Sequence, residues 1–266
     1  MSEIVLPALF TLFAWWISTG VIIWLNRLPR RTYRLTFTLA SWVMVAAFWG
    51  LAAARNDQTI AGAYCGFSCA LLIWAWQEIA FLLGYVTGPR RVDCPADAVG
   101  WRRVGFALQA VLHHELALLL LGFGVFVVSW GGSNQVGLAT YLVFWVMRQS
   151  AKLNVFLGVR NLSESFLPAH LRYLQTYFSR KPINALFPLS VTLPAAIAFV
   201  LWESAARAGA SPFETTACSL LGMLLSLAIL EHWFMVLPLP FERLWQWGMG
   251  TPVEARPATR LGMEVT

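Results

Sequence analysis

The sequence predicts an all-α fold: a polytopic membrane helical bundle of about seven transmembrane helices, with the N-terminus periplasmic and the C-terminus cytoplasmic. Three observations carry that expectation. Of the 266 residues, 58% are hydrophobic and only 12% are charged, whereas a soluble domain averages roughly a quarter charged. Several apolar stretches exceed the ~18 residues that mark a membrane span. The basic loops alternate strictly with neutral or acidic ones, as the enrichment of Lys and Arg in cytoplasmic loops requires.

Taken in order, span one covers 4–25 and ends in the basic turn Asn26-Arg27-Leu28-Pro29-Arg30-Arg31. Met1-Ser2-Glu3 lacks a basic leader region and no small-residue cleavage site follows, so this span is expected to be a retained helix and not a signal peptide. Span two covers 35–54 and meets the nearly balanced Arg55-Asn56-Asp57. Span three, 59–86, leads into Arg90-Arg91 and Arg102-Arg103. Span four, 104–130, exits at the uncharged Gly131-Gly132-Ser133-Asn134. Span five is 136–159, span six 183–202 and span seven 215–237, closing at Pro238 and Pro240. An even number of spans, with span one or six re-entrant, is the topological alternative.

The chain reads as one integral membrane domain, 1–266, with the lipid bilayer as its first partner. Two segments stand apart. In 167–181, Leu167, Leu171, Leu174 and Phe178 recur at helical spacing opposite Arg172, Gln175 and Arg180, which predicts an amphipathic helix in the interface or a connector folded against the bundle. Residues 241–266 are expected to form a cytoplasmic tail. The net charge of +6 does not point to nucleic acid, because the arginines flank spans and do not form one stripe. Cys65, Cys69, Cys94 and Cys218 show no zinc-type spacing and read as small packing residues. Most of the 14 tryptophans fall near span ends, where indoles anchor at the interface. Trp74 and Trp76 are deeper and read as core packing over a flat-ligand surface.

The chemistry-bearing residues gather at one depth. At about 1.5 Å rise per residue, Glu78 in span three, His113, His114 and Glu115 in span four, and Glu231 and His232 in span seven all lie a few turns from the basic ends of their spans. Arg148, Gln149, Lys152 and Asn154 lie in the same half of span five. Ionisable residues at such depth usually face a bundle interior. Two physical readings compete. Arg148 and Lys152, four apart on one face, can pair with Glu78, Glu115 or Glu231 as a charge-compensation network. Alternatively Glu78, His114, Glu115, Glu231 and His232 gather iron, manganese or zinc, one member of each adjacent pair His114-Glu115 and Glu231-His232 coordinating and the other supporting it, with His113 a further candidate for cofactor binding; the Glu-x-x-His spacing of di-iron bundles is absent. A lone membrane histidine can also ligate a haem or bacteriochlorophyll-type tetrapyrrole. At the cytoplasmic mouth of this layer, Arg160, Asn161, Glu164 and His170 form an entrance or cap the helix end.

Trp76-Gln77-Glu78, His113-His114-Glu115, the run Lys152-Leu153-Asn154-Val155-Phe156-Leu157-Gly158-Val159-Arg160-Asn161 and Glu231-His232-Trp233-Phe234 resemble the PuhE family, photosynthetic complex assembly protein 2. The resemblance covers the whole chain, and the Lys152 to Asn161 run is its most specific part. It implies a multi-pass protein of the bacterial inner (cytoplasmic or intracytoplasmic) membrane, with a role in phototrophic bacteria in assembling the reaction centre and core antenna or in controlling bacteriochlorophyll supply. The partners it implies are reaction-centre and core-antenna polypeptides or pigment-biosynthesis enzymes. It carries no catalytic residues over. The alternative function is a membrane-embedded, metal-dependent oxidoreductase acting on a pigment precursor or another lipid-soluble substrate. A proton-coupled transporter ranks below both, because no internal repeat or broken helix accompanies the buried acids.

Overall fold

A computed structural model describes residues 2–249. Seven long helices run back and forth: α1 (Ser2–Arg27), α2 (Tyr33–Ala54), α3 (Ile60–Leu82), α4 (Gly100–Ser129), α5 (Val136–Leu157), α6 (Phe187–Ala205) and α7 (Pro212–Val236). A one-turn α8 (Gln246–Met249) follows, and four short 3-10 helices lie in the connections. No strand occurs among the described residues. A helix satisfies its own backbone groups, which is what a chain without water around it requires.

Six of the helices, α1, α2, α3, α4, α6 and α7, are long and apolar enough to cross a membrane. The expected fifth span forms a helix of 22 residues but falls outside that set. Arg148, Gln149, Lys152 and Asn154 break its apolar run, so only its neighbours can make it compatible with a bilayer.

Local chemistry explains where the helices stop. Thr59 caps α3 by accepting the N–H of Gly62 (3.1 Å). Ser211 and Glu214 form a reciprocal capping box at the start of α7, with Pro212 in its first turn. At the far end of the bundle Asn134 gives its amide to the carbonyls of Ala54, Asp57 and Gly62, which ties the α2–α3 turn to the α4–α5 turn. Gly158 ends α5 with φ 122°, a value that favours glycine.

Span three was expected to reach Val86, but α3 ends at Leu82 and the chain turns back along α4. There the N–H of His114 donates to Thr87 O (2.9 Å) and that of Arg90 to Gln109 O (3.4 Å). Gly88 lies so close to the carbonyls of Gln109 and Ala110 that a Cβ would collide with backbone. The 30 residues of α4 span about 45 Å, more than the ~30 Å hydrocarbon thickness. Its first turns are therefore dressed by this loop.

The core holds Ile73, Trp74, Leu118, Val125 and Tyr141. Trp74 stacks on Phe144 (5.3 Å, 13°), and Trp76 donates its indole N–H to Ser41 Oγ (2.9 Å); both therefore serve helix packing. The 167–181 segment contains a shorter 3-10 helix, Ala169–Tyr177. With three residues per turn, Leu171, Leu174 and Tyr177 fall in one row, and they pack on Phe81 and Ala110. Its apolar side thus faces protein, as a connector's would. The start of the expected tail folds back as well: Trp245 donates to Trp16 O (3.0 Å) and Trp16 to Leu244 O (2.8 Å). The rest of that tail, 250–266, lies outside the described residues.

Candidate functional site

Side-chain contacts join α3, α4, α5 and α7, the helices whose ionisable groups the sequence expects at a common depth. Arg148 Nη2 donates to Glu78 Oε2 at 2.7 Å, linking α5 to α3. One turn on, Lys152 Nζ donates to Glu115 Oε1 at 2.6 Å, linking α5 to α4. Gln149 Nε2 takes the other oxygen of Glu115 at 2.7 Å. Arg148 and Lys152 are four apart, so both point off one side of α5, and each finds a carboxylate on a different neighbour.

Glu231 meets an indole of α1. Trp15 of α1 donates its indole N–H to Glu231 Oε1 at 2.6 Å, adding a fifth helix to the layer. His232, next in sequence, points about 100° away into the α5–α7 contact, where Nε2 meets Ser150 Oγ (2.9 Å) and Nδ1 meets Ala228 O (2.9 Å).

The two adjacent histidines of α4 separate. His114 is 1% exposed and lies against the Phe81 ring at 4.5 Å, with its Nδ1 unpartnered among the described residues. His113 lies on the exposed face of α4. Asn154 is buried but belongs to a clamp between helices: it donates to Ser190 Oγ (2.8 Å) and accepts from Asn184 Nδ2 (3.0 Å). Asn184, Ser190, Ser150 and Trp15 went unread because a single small polar residue or indole in an apolar run has no spacing to announce it. Gln77, 1% exposed with both amide atoms unpartnered, was also missed, although it immediately precedes Glu78.

The expected metal set does not converge. Among the described residues no group of three or more His, Cys, Asp or Glu side chains is placed to hold an ion. His114 faces Phe81, Glu115 faces α5, Glu231 faces α1 and His232 faces Ser150.

The four residues of the expected mouth also part company. Asn161 binds the end of α7, donating to Phe234 O (2.7 Å) and to Leu237 O; it caps, but not its own helix. Glu164 pairs with Arg180 at 2.6 Å on the surface, and Arg160 is exposed. His170 fits over Gly84. Burial holds its imidazole below the ordinary histidine range against the opposing pull of the Leu82 carbonyl, and Arg30 and Arg91 add to the lowering. Burial likewise pushes the neighbouring Tyr173 phenol up.

The arrangement is a fully helical interior in which two cations and three acids are held at one level. The protein-family comparison matches residues 1–256 to a family described as a protein of unknown function, DUF3623. A relative from Rhodobacter capsulatus, named as an uncharacterized 30.4 kDa protein in the puhA 5′ region, is 37% identical over 246 residues, 91% of this chain and 89% of that protein. No solved structure matches the chain. With a match over nearly its whole length, the chain belongs to the DUF3623 family.

Proposed function

We propose that this protein is a multi-pass inner-membrane accessory factor for assembly of the bacterial photosynthetic reaction centre and core antenna, or for bacteriochlorophyll supply to them. The observation that carries the reading is the relative named for its place in the puhA 5′ region of Rhodobacter capsulatus, a photosynthetic bacterium. The likeness of the Lys152 to Asn161 run to the PuhE family points the same way. The geometry is compatible with an assembly role, since each acid of the layer is engaged by a cation or an N–H and the layer binds helices together. In this reading α5 is a seventh span, shielded by α3, α4, α6 and α7, and the arginine-rich end of the bundle is cytoplasmic.

The test is an in-frame deletion in a phototroph that carries the protein, followed by near-infrared absorption of its membranes. The expected outcome is a several-fold change in core-complex or bacteriochlorophyll bands, restored by the gene in trans. A spectrum identical to the parent's under pigment-inducing conditions overturns the proposal.

A further inference from the structure

Two sulfurs meet at a point of the bundle that the polar layer does not use. Cys65 and Cys69 are four apart on α3, so they share a face, and their Sγ atoms lie 3.9 Å apart. Both meet Gly50 of α2. A Cβ at Gly50 would lie 2.8 Å from Cys69 Sγ and 3.9 Å from Cys65 Sγ, and the Cys65 thiol donates to the Gly50 carbonyl at 3.7 Å. Glycine at this position lets the backbone of α2 come against both thiols. Cys69 is buried and Cys65 half-buried, so the pair is enclosed on one side and reachable on the other. The two thiols sit five and nine residues after Ile60, where α3 begins, about 8–14 Å along the axis. That is near the turns tied by Asn134 and away from the arginine-rich end.

Geometry decides what such a pair can do. A disulfide needs Cβ atoms about 3.5–4.5 Å apart, whereas residues four apart on a helix hold them at about 5–6 Å. The pair therefore cannot close on itself without unwinding a turn of α3. A bridging ion meets no such obstacle. Metal–thiolate bonds of about 2.3 Å let one ion span sulfurs up to about 4.6 Å apart, and 3.9 Å falls within that reach. Coordination number then selects the ion. Structural zinc takes four ligands, and among the described residues no third His, Cys, Asp or Glu joins the two thiols to hold an ion. Soft thiolates select monovalent copper, a closed-shell ion that two sulfurs alone can hold. We infer that Cys65 and Cys69 form a binding site for monovalent copper at the α2–α3 contact. On binding, two S–H bonds break, two S–Cu bonds form, both protons pass to water, and the copper keeps its oxidation state. This goes beyond the assembly role, and binding to the isolated protein tests it independently of any photosynthetic phenotype.

The experiment titrates the full chain, purified in detergent under reducing, oxygen-free conditions, with monovalent copper against a chromogenic chelator of that ion. The expected result is one ion retained per chain, with retention rising as pH rises because protons leave on binding. X-ray absorption of the loaded protein should show sulfur neighbours around the copper, and divalent zinc should not displace it. Cys65→Ser and Cys69→Ser should each weaken retention by more than the roughly 10–100-fold that loss of an outer-shell partner costs. Cys94→Ser and Cys218→Ser, in the 83–99 loop and in α7, should bind copper as the parent does. No retained copper, copper bound by nitrogen or oxygen in place of sulfur, displacement by zinc, loss of retention in C94S or C218S, or undiminished affinity in a folded C65S or C69S protein each overturns the proposal. The titration and the absorption spectrum use the unaltered protein, so they decide the matter even if a variant does not fold.

Discussion

At the scale of single residues, the Lys152–Glu115 pair binds α5 to α4. Both oxygens of Glu115 are used, one by Lys152 and one by Gln149, and the pair is mostly enclosed, with 28% and 22% of the side chains free. Removing one partner of a buried pair strands the other, at about 3–5 kcal/mol for full burial; the free surface here brings the expectation to the lower end. Lys152→Met should therefore lower the thermal midpoint in detergent markedly, while K152M/E115M should recover most of the loss. Equal midpoints for K152M and the parent would show that the pair contributes nothing. His170 makes a different prediction. Its imidazole is held below its ordinary value of about 6.5, chiefly by burial, so the folded state favours the neutral ring. That contribution is fully present above the unfolded pKa and is lost as pH falls through 6.5 toward the lowered folded value. His170→Gln should accordingly show a smaller drop in thermal midpoint between pH 7.5 and pH 5.5 than the parent. An unchanged drop would assign the acid sensitivity to other groups.

At the scale of elements, the return loop along α4 depends on Gly88. Any side chain there meets the backbone of Gln109 and Ala110, which cannot move without distorting a helix. Gly88→Val should cost about 1–3 kcal/mol, the usual range for overpacking, and should raise protease cleavage in 83–99. Gly105, on α4 with no neighbour within 4 Å of its would-be Cβ, is the control: Gly105→Ala should be neutral or slightly stabilising. Parent-like protease resistance in Gly88→Val would show that the loop is not seated there. Elements also show what the sequence made legible. The helices stand out because apolar runs and Gly, Pro and Asn breaks are local properties. The pairing of α5 with both α3 and α4 was readable because Arg148 and Lys152 share a face. Three features were not readable. Which of His113 and His114 turns inward depends on the rotation of α4, and that is set by Phe81 and Thr87 from elsewhere in the chain. Trp15 could not be told from an interface anchor among so many indoles. The return of Trp245 onto Trp16 joins residues 229 apart in the sequence, and no local pattern encodes such a contact.

At the scale of the whole molecule, charge divides the two ends. Among the described residues the far end carries Arg55 and Arg207 against Glu3, Asp57, Glu203 and Glu214, while Arg27, Arg30, Arg31, Arg34, Arg90, Arg91, Arg102 and Arg103 all crowd the end where α1 and α3 finish and α2 and α4 begin. The short loops carrying them are the kind that set orientation. The far end is also the one closed by Asn134, so its turns are held together by hydrogen bonds to backbone carbonyls instead of by charge. The proposed orientation retains the basic end in the cytoplasm. A fluorescent protein that matures only in the cytoplasm should glow when fused after Thr266, and alkaline phosphatase inserted between Gly132 and Ser133 should be active. The opposite pair of results would invert the bundle. It would also place the Glu78, Glu115 and Glu231 layer nearer the periplasmic face, within reach of a different set of partners from those an assembly factor working at the cytoplasmic side would meet.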